Sequence, residues 1–241
     1  MTPTDLQPAK AESWKMFNRI AGTYDLLNHL LSMGIDKRWR RELARHLPSG
    51  NDLAVLDLAT GTGDQLISIL SGENGGRFSR GVGLDPAEEM LAHGRAKLRA
   101  AGLTGKAEMQ LGDAQTLPFP DASFDAVTIS FGIRNVADAP RALREIARVL
   151  KPGGRLLVLE FSLPPNAAAR AFYLTYFRHV LPLIGGLISG QSAAYRYLNE
   201  TVEAFPYGEA FCEWLRAAGF AQAQARPLTL GIATLYVADK L

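Results

Sequence analysis

Between residues 51 and 162, short β-rich runs alternate with helical patterns, and no other feature narrows the fold as much. Leu53–Ala59, Arg80–Leu84, Ala107–Leu111, Phe124–Ser130 and Arg155–Phe161 read as strands; Asp64–Ser71, Ala87–Ala100 and Ala139–Leu150 read as helices. Strands joined by helix-length crossovers pair in parallel, since a parallel neighbour needs a long connection. Lys151-Pro152-Gly153-Gly154 reads as a helix stop and a turn into the next strand. Near the C-terminus, a helix around Gly208–Ala218 and a turn at Gly219 precede two further runs, Gln222–Arg226 and Ile232–Val237. Two strands after a helix suggest an antiparallel hairpin at the sheet edge. The expected class is α/β: a mostly parallel, seven-stranded sheet with helices on both faces.

The flanks differ in character. Residues 1–50 read as an N-terminal helical cap, with apolar-periodic Ser13–Ile20 and Leu26–Leu31 and an Arg-rich amphipathic Ile35–Leu47. Residues 51–241 read as one domain, interrupted at about 163–207 by an insertion that opens with Leu163-Pro164-Pro165. The insertion is rich in aromatics: Phe172, Tyr173, Tyr176, Phe177, Tyr195, Tyr197, Phe205 and Tyr207. Their helical spacing fits core packing as well as a ligand lid.

Composition removes several function classes. The net charge of +2 gives no electrostatic footprint for nucleic acid. A basic cluster from Lys37 to Arg45 reads either as a solvated helix face or as an anion-facing one. Cys212 is the one cysteine, so no intrachain disulfide forms, in keeping with a reducing cytoplasm. Four histidines and one cysteine make a structural zinc unpromising, and no metal is expected. The first ten residues lack a signal-peptide pattern, and no apolar run reaches the length of a membrane span.

The sharpest local signal is Val55-Leu56-Asp57-Leu58-Ala59-Thr60-Gly61-Thr62-Gly63-Asp64. A strand runs into two glycines and then a helix, so the backbone turns tightly and approaches a ligand with no Cβ in the way. The third glycine of a dinucleotide fingerprint is missing, since Leu66 stands there. Asp64 opens the helix where a pyrophosphate would dock; it either caps the helix or favours a ligand with an amino group. Asp85 ends the next strand, where a carboxylate accepts ribose hydroxyls. Asp113 and Ala114 follow the third strand, suited to an adenine amino group, and Ser130 ends the fourth. All sit at carboxyl ends of strands, where open α/β sheets bind ligands. Together they point to S-adenosylmethionine rather than NAD, with Asp57, Gly61, Thr62, Gly63, Asp85, Asp113, Ala114 and Ser130 as the binding set.

Asp57–Asp64, Leu117-Pro118-Phe119-Pro120-Asp121 and Val149–Arg155 resemble the shared blocks of class I S-adenosylmethionine-dependent methyltransferases, which have a Rossmann-like fold. More specific blocks are Phe17–Ala21 with Tyr24–Asn28, Ser32-Met33-Gly34 with Trp39-Arg40, Ile129–Val136, Leu159–Ser162, and Tyr195–Leu198 with Phe205-Pro206. These resemble the quinone-biosynthesis C-methyltransferases of the ubiquinone/menaquinone type, over about residues 14–220. The resemblance implies methyl transfer to a ring carbon of a polyprenylated quinol, either demethylmenaquinol or a methoxy-polyprenyl-benzoquinol. It also implies a cytoplasmic protein with peripheral contact to the inner face of the membrane; a homodimer stays open. Asp113, where relatives often carry Asn, and a C-terminus lacking the usual ending are departures. Two other readings remain at this stage: methylation of a soluble small molecule, and a non-catalytic member of a quinone-making complex.

Carbon methylation needs an in-line methyl, a dry site and an ionised or polarised ring hydroxyl. Arg134, after the fourth strand, is the first candidate for holding a quinolate oxygen or a water. Tyr24 and Asp25 are candidates to complete the site, Asp25 as base or orienting acceptor. Asn135 either bonds a quinol oxygen or caps the following helix. His179 has a suitable pKa but lies in an aromatic helix.

Overall fold

In the computed structural model, the described residues are 10–32, 34–73, 75–176, 178 and 192–241, with backbone alone at 26–31 and 192–196. Seven strands form one sheet in the order β3-β2-β1-β4-β5-β7-β6. They are β1 (Leu53–Leu58), β2 (Phe78–Asp85), β3 (Ala107–Leu111), β4 (Phe124–Ser130), β5 (Leu150–Phe161), β6 (Phe220–Leu228) and β7 (Ala233–Lys240). The first five pair in parallel, and β7 joins β5 and β6 antiparallel, as the alternation implied. The order steps outward from β1 to β3 and then returns across β4, which places a crevice above the tips of β1 and β4.

The helices are α1 (Ser13–Leu31), α2 (Ile35–Ala44), α3 (Asp64–Ser71), α4 (Glu88–Ala100), α5 (Ala139–Val149), α6 (Ala167–Thr175), α7 (Ser192–Ala204) and α8 (Glu209–Ala217). Strand alternation divides the core between the two faces. Leu56, Leu58, Val127, Ile129, Leu156 and Val158 pack against α5 and α8 through Leu143, Ile146, Phe211 and Leu215. Val55, Ala126, Leu157 and Leu159 pack against α2, α3 and α4 through Leu43, Leu66, Ile69, Leu91 and Leu98. Each Val, Leu, Ile or Phe among them contributes about 1.5–3 kcal/mol of burial. Trp39 of α2 lies in the second group, and its indole nitrogen donates to Thr229 Oγ1 at 2.8 Å.

Three expectations shift. Ser13–Ile20 and Leu26–Leu31 are one helix, because nothing between them forbids α geometry; Gly22 only weakens it. Lys151–Gly154 lies inside β5 as an irregular stretch rather than as a turn before it. There the register jumps from Phe124↔Leu150 to Ala126↔Arg155, and Gly153 takes φ +75°. In the insertion, α6 and α7 are helical as the spacing suggested, while Phe177 and His179 lie outside the described residues. Among the described residues no helix is long and apolar enough to cross a membrane.

Candidate active site

A cavity of about 800 Å³ opens above the tips of β1, β2 and β4, roofed by α1. Its floor includes Ala59, Gly61, Asp85, Asp113, Ala114 and Ser130; Phe17 and Tyr24 come from α1, and Asn135 from the turn after β4. A smaller hollow of about 290 Å³ adjoins it beneath α2, between Arg40, Thr60, Thr62, Asp64 and Gln65.

The glycine loop is held from below and from the side. After β1, Ala59 (φ 47°), Gly61 (φ 56°) and Gly63 (φ 82°) all take left-handed conformations, so the chain reverses within a few residues. A Cβ on Gly61 would come within 3.3 Å of Met90 Cε, so a side chain there would narrow the cavity between the loop and α4. Asp85 supplies the side support: its carboxylate accepts from Gly61 N and from Ala87 N, both at 2.8 Å. Asp57 supplies the support below, accepting from Thr60 Oγ1 and Thr128 Oγ1, both at 2.6 Å. Both acids are almost fully buried, and burial pushes each pKa up to about 6; Asp57's charge adds to the rise at Asp85.

The structure separates the expected cofactor set. Gly61, Asp85, Asp113, Ala114 and Ser130 line the main cavity. Asp57 and Thr62 lie under the loop and reach only the smaller hollow, while Gly63 is the N-cap of α3. Thr62 Oγ1 donates to Asp25 at 2.6 Å and accepts from Lys97 at 3.0 Å. Lys97 also binds Asp25 at 2.6 Å and pairs with Asp64. The charge of Asp64 is therefore met by a lysine of α4. Asp25 lies in this network rather than on the wall of the main cavity.

The other end of the crevice is assembled from distant segments. Asn135 lines the cavity, and the cap of α5 is Asp138, which accepts from Arg141 N at 2.9 Å. Arg134 is 5% exposed and stands behind that wall. Its Nη1 donates to Phe131 O and to Glu160 Oε1, both at 2.6 Å. Glu160, fully buried on β5, also accepts from Phe161 N at 2.8 Å and Arg134 N at 3.3 Å. The guanidinium lies 5.3 Å from the centre of the Phe161 ring. Arg134 Nε and Asn135 Oδ1 are buried without a hydrogen-bond partner among the described residues. A buried donor and a buried acceptor on successive residues are costly to leave open. Tyr24 lines the cavity from α1, its ring edge-on to Phe17 at 6.0 Å. His179 lies outside the described residues.

A family model described as the ubiE/COQ5 methyltransferase family matches residues 5–240. The chain belongs to this family. Among curated relatives, the demethylmenaquinone methyltransferase of Thermus thermophilus is 50% identical over 93% of this chain and 100% of its own length. The one from Deinococcus radiodurans is 47% identical, covering 94% of this chain and 91% of its own. The ubiquinone/menaquinone biosynthesis C-methyltransferase UbiE of Geobacter sulfurreducens is 44% identical over 93% and 87%. Solved structures share the fold at lower identity. A Thermotoga maritima SAM-dependent methyltransferase aligns with TM-score 0.65 at 19% identity, covering 95% of this chain and 99% of its own. One from Aquifex aeolicus aligns with TM-score 0.60 at 17% identity, covering 84% and 89%.

The chain is an S-adenosylmethionine-dependent methyltransferase, and its crevice fits that methyl donor. The donor end is lined by two carboxylates, Asp85 and Asp113, and by loop backbone, and among the described residues no basic side chain stands there to meet a phosphate. That donor set suits a nucleoside joined to a cationic sulfur and mismatches a pyrophosphate. When bound, S-adenosylmethionine supplies the electrophilic methyl group. Asp85 would accept the ribose hydroxyls, Asp113 and Ala114 would meet the adenine, and the glycine loop would lie along the remainder.

Sequence reasoning gave Glu160, Lys97 and Arg40 no role. Glu160 was findable, because an acid inside the apolar run Val158–Phe161 of a buried strand must have a partner. Arg40 belongs to the basic cluster, yet it turns inward. Its Nε is buried, its guanidinium lies 5.7 Å from the Phe131 ring, and its charge holds down the pKa of Asp57. Lys37, Arg38, Arg41 and Arg45 form the solvated face.

Proposed function

We propose that this chain transfers a methyl group from S-adenosylmethionine to a ring carbon of a polyprenylated quinol, with demethylmenaquinol as the preferred head group. The observation that carries the reading is the open donor and acceptor at Arg134 Nε and Asn135 Oδ1, beside a cavity roofed by the aromatic face of α1. Asn135 lines that cavity and Arg134 stands one layer behind it, so a ring oxygen seated there meets the polar end of an otherwise apolar wall. Phe17, Trp14 and Phe131 supply apolar walls that exclude water from the sulfonium. Asp25 then serves to hold α1 in place over the cavity. The naphthoquinol head follows the names of the Thermus and Deinococcus relatives; the Geobacter relative supports a benzoquinol as a second substrate.

The prenyl tail requires an apolar exit. Exposed Phe172 on α6 and half-exposed Trp14 on α1 support peripheral contact with a membrane surface, where such a substrate resides. The test is product analysis by mass spectrometry, with a short-tailed demethylmenaquinol, its benzoquinol counterpart and soluble phenols as acceptors. Methylation of the quinols alone is expected. Methylation of soluble phenols at equal efficiency would overturn the reading.

A further inference from the structure

The Arg134–Glu160 pair changes what Arg134 brings to the ring. Glu160 is fully buried at 2.6 Å from Nη1, so the two side chains form a neutral unit. Arg134 then brings no uncompensated charge to the ring. A quinol hydroxyl resembles tyrosine, with a pKa of about 10, so methylation near neutrality needs a proton acceptor and a cation for the oxyanion. The charged residues lining the cavity are Lys10, Asp85 and Asp113 among the described residues. Both acids stand at the donor end. Lys10 stands at the foot of α1 with Ala11 and Ser13, facing Arg134 and Glu160.

We propose that Lys10 is a catalytic residue that takes the proton of the ring hydroxyl and then pairs with the oxyanion. The inference rests on the quinol reading above. The quinol O–H bond breaks, its proton goes to the Lys10 amine and its electron pair stays on oxygen. After the methyl has moved, the hydrogen displaced from the ring carbon leaves to water, and the ammonium returns its proton to the oxygen. The surroundings favour this cycle. Burial lowers the Lys10 pKa, the Arg134 charge lowers it further, and Glu160 opposes them. Tyr197 of α7 lies beside Ser13, so the insertion reaches the foot of α1. Tyr173 of α6 faces the same Arg134–Glu160 pair.

The test compares wild type, Lys10→Met and Lys10→Arg on a short-tailed demethylmenaquinol kept reduced in detergent. It reads kcat from about pH 6 to about pH 10, with S-adenosylhomocysteine affinity measured by calorimetry. Lys10→Met is expected to bind the cofactor product as wild type does and to lose about 100-fold in kcat. Its rate should climb only toward the pKa of the free hydroxyl. Lys10→Arg keeps the cation but has no usable amine, so it should fall between the two. A Lys10→Met kcat near that of wild type with an unchanged pH profile overturns the proposal while leaving the quinol reading intact. A loss of cofactor affinity matching the loss of turnover also overturns it, since Lys10 would then act on the fold. A wild-type protein that methylates no quinol overturns both.

Discussion

At the donor end of the crevice the polar groups come from strand tips and the loops just after them, whereas at the ring end they come from α1 and the turn after β4, backed by β5 and the insertion. The donor end is backbone geometry braced by two buried acids. The ring end is side chains from distant segments meeting over an apolar wall, with one buried ion pair fixing the arginine. Reaction chemistry follows the same division. A nucleoside is recognised by hydrogen bonds that any class I methyltransferase needs, while the acceptor is recognised by what one family packs around it. The two ends should therefore fail independently when perturbed.

The largest expected effect falls at the ring end. Glu160→Ala leaves Arg134 buried with no counter-charge and should destabilise the protein by about 3–5 kcal/mol, read by denaturant unfolding. The double variant Glu160→Ala with Arg134→Met should recover much of that stability without recovering turnover. If the cofactor affinity of folded Glu160→Ala protein drops as far as its activity, the two ends are not separable.

The next effect falls at the donor end. Asp85→Ala removes the acceptor for Gly61 N and Ala87 N as well as the proposed ribose contact. Calorimetry should show cofactor affinity weakened about 100-fold, roughly 2.7 kcal/mol. The pH response has opposite signs for binding and for stability. Asp57 and Asp85 ordinarily titrate at 3.8 and here near 6. Their contribution to folding is thus full below 3.8 and lost as pH rises through about 6. Cofactor affinity should do the reverse, falling as pH drops below about 6, because a protonated Asp85 accepts fewer hydrogen bonds. Affinity that stays flat across this range would remove Asp85 from the ribose contact.

The same contrast explains what could be read from sequence. The strands, the loop and the donor-end residues follow from short β-rich runs, paired glycines and acids at strand ends, all local in the chain. Gly61, Asp85, Asp113 and Ser130 come together around the main cavity for that reason. The ring end is a matter of long-range pairing. Nothing near Arg134 in sequence announces that Glu160, on the next strand of the sheet, neutralises it. Nothing near Asp25 announces Lys97, 72 residues on. From sequence Asp25 reads as a base or an orienting acceptor; the fold pairs it with Lys97. Pro and Gly punctuate loops, so Lys151–Gly154 reads as a turn; the bulge at the start of β5, ahead of its pairing with β7, tolerates them inside the strand.

The smallest effect tests that lysine. Lys97 gathers Asp25 of α1 and Asp64 of α3, both partly open to solvent, and the buried Thr62 of the loop. Exposed pairs of this kind contribute about 0.2–1 kcal/mol each, so Lys97→Met should lower Tm by only a few degrees. The specific consequence lies elsewhere. Without the ammonium, Asp25 and Asp64 repel across the gap that α1 closes. Amides of α1 should exchange hydrogen faster while those of β1 and β4 do not change. Cofactor affinity should hold, because Gly61 and Asp85 are braced separately, and KM for the quinol should rise, because α1 roofs the ring. Protection of α1 that matches wild type would mean that the apolar contacts of Ala21, Phe17 and Tyr24 with Met90 hold the helix without the ion pair.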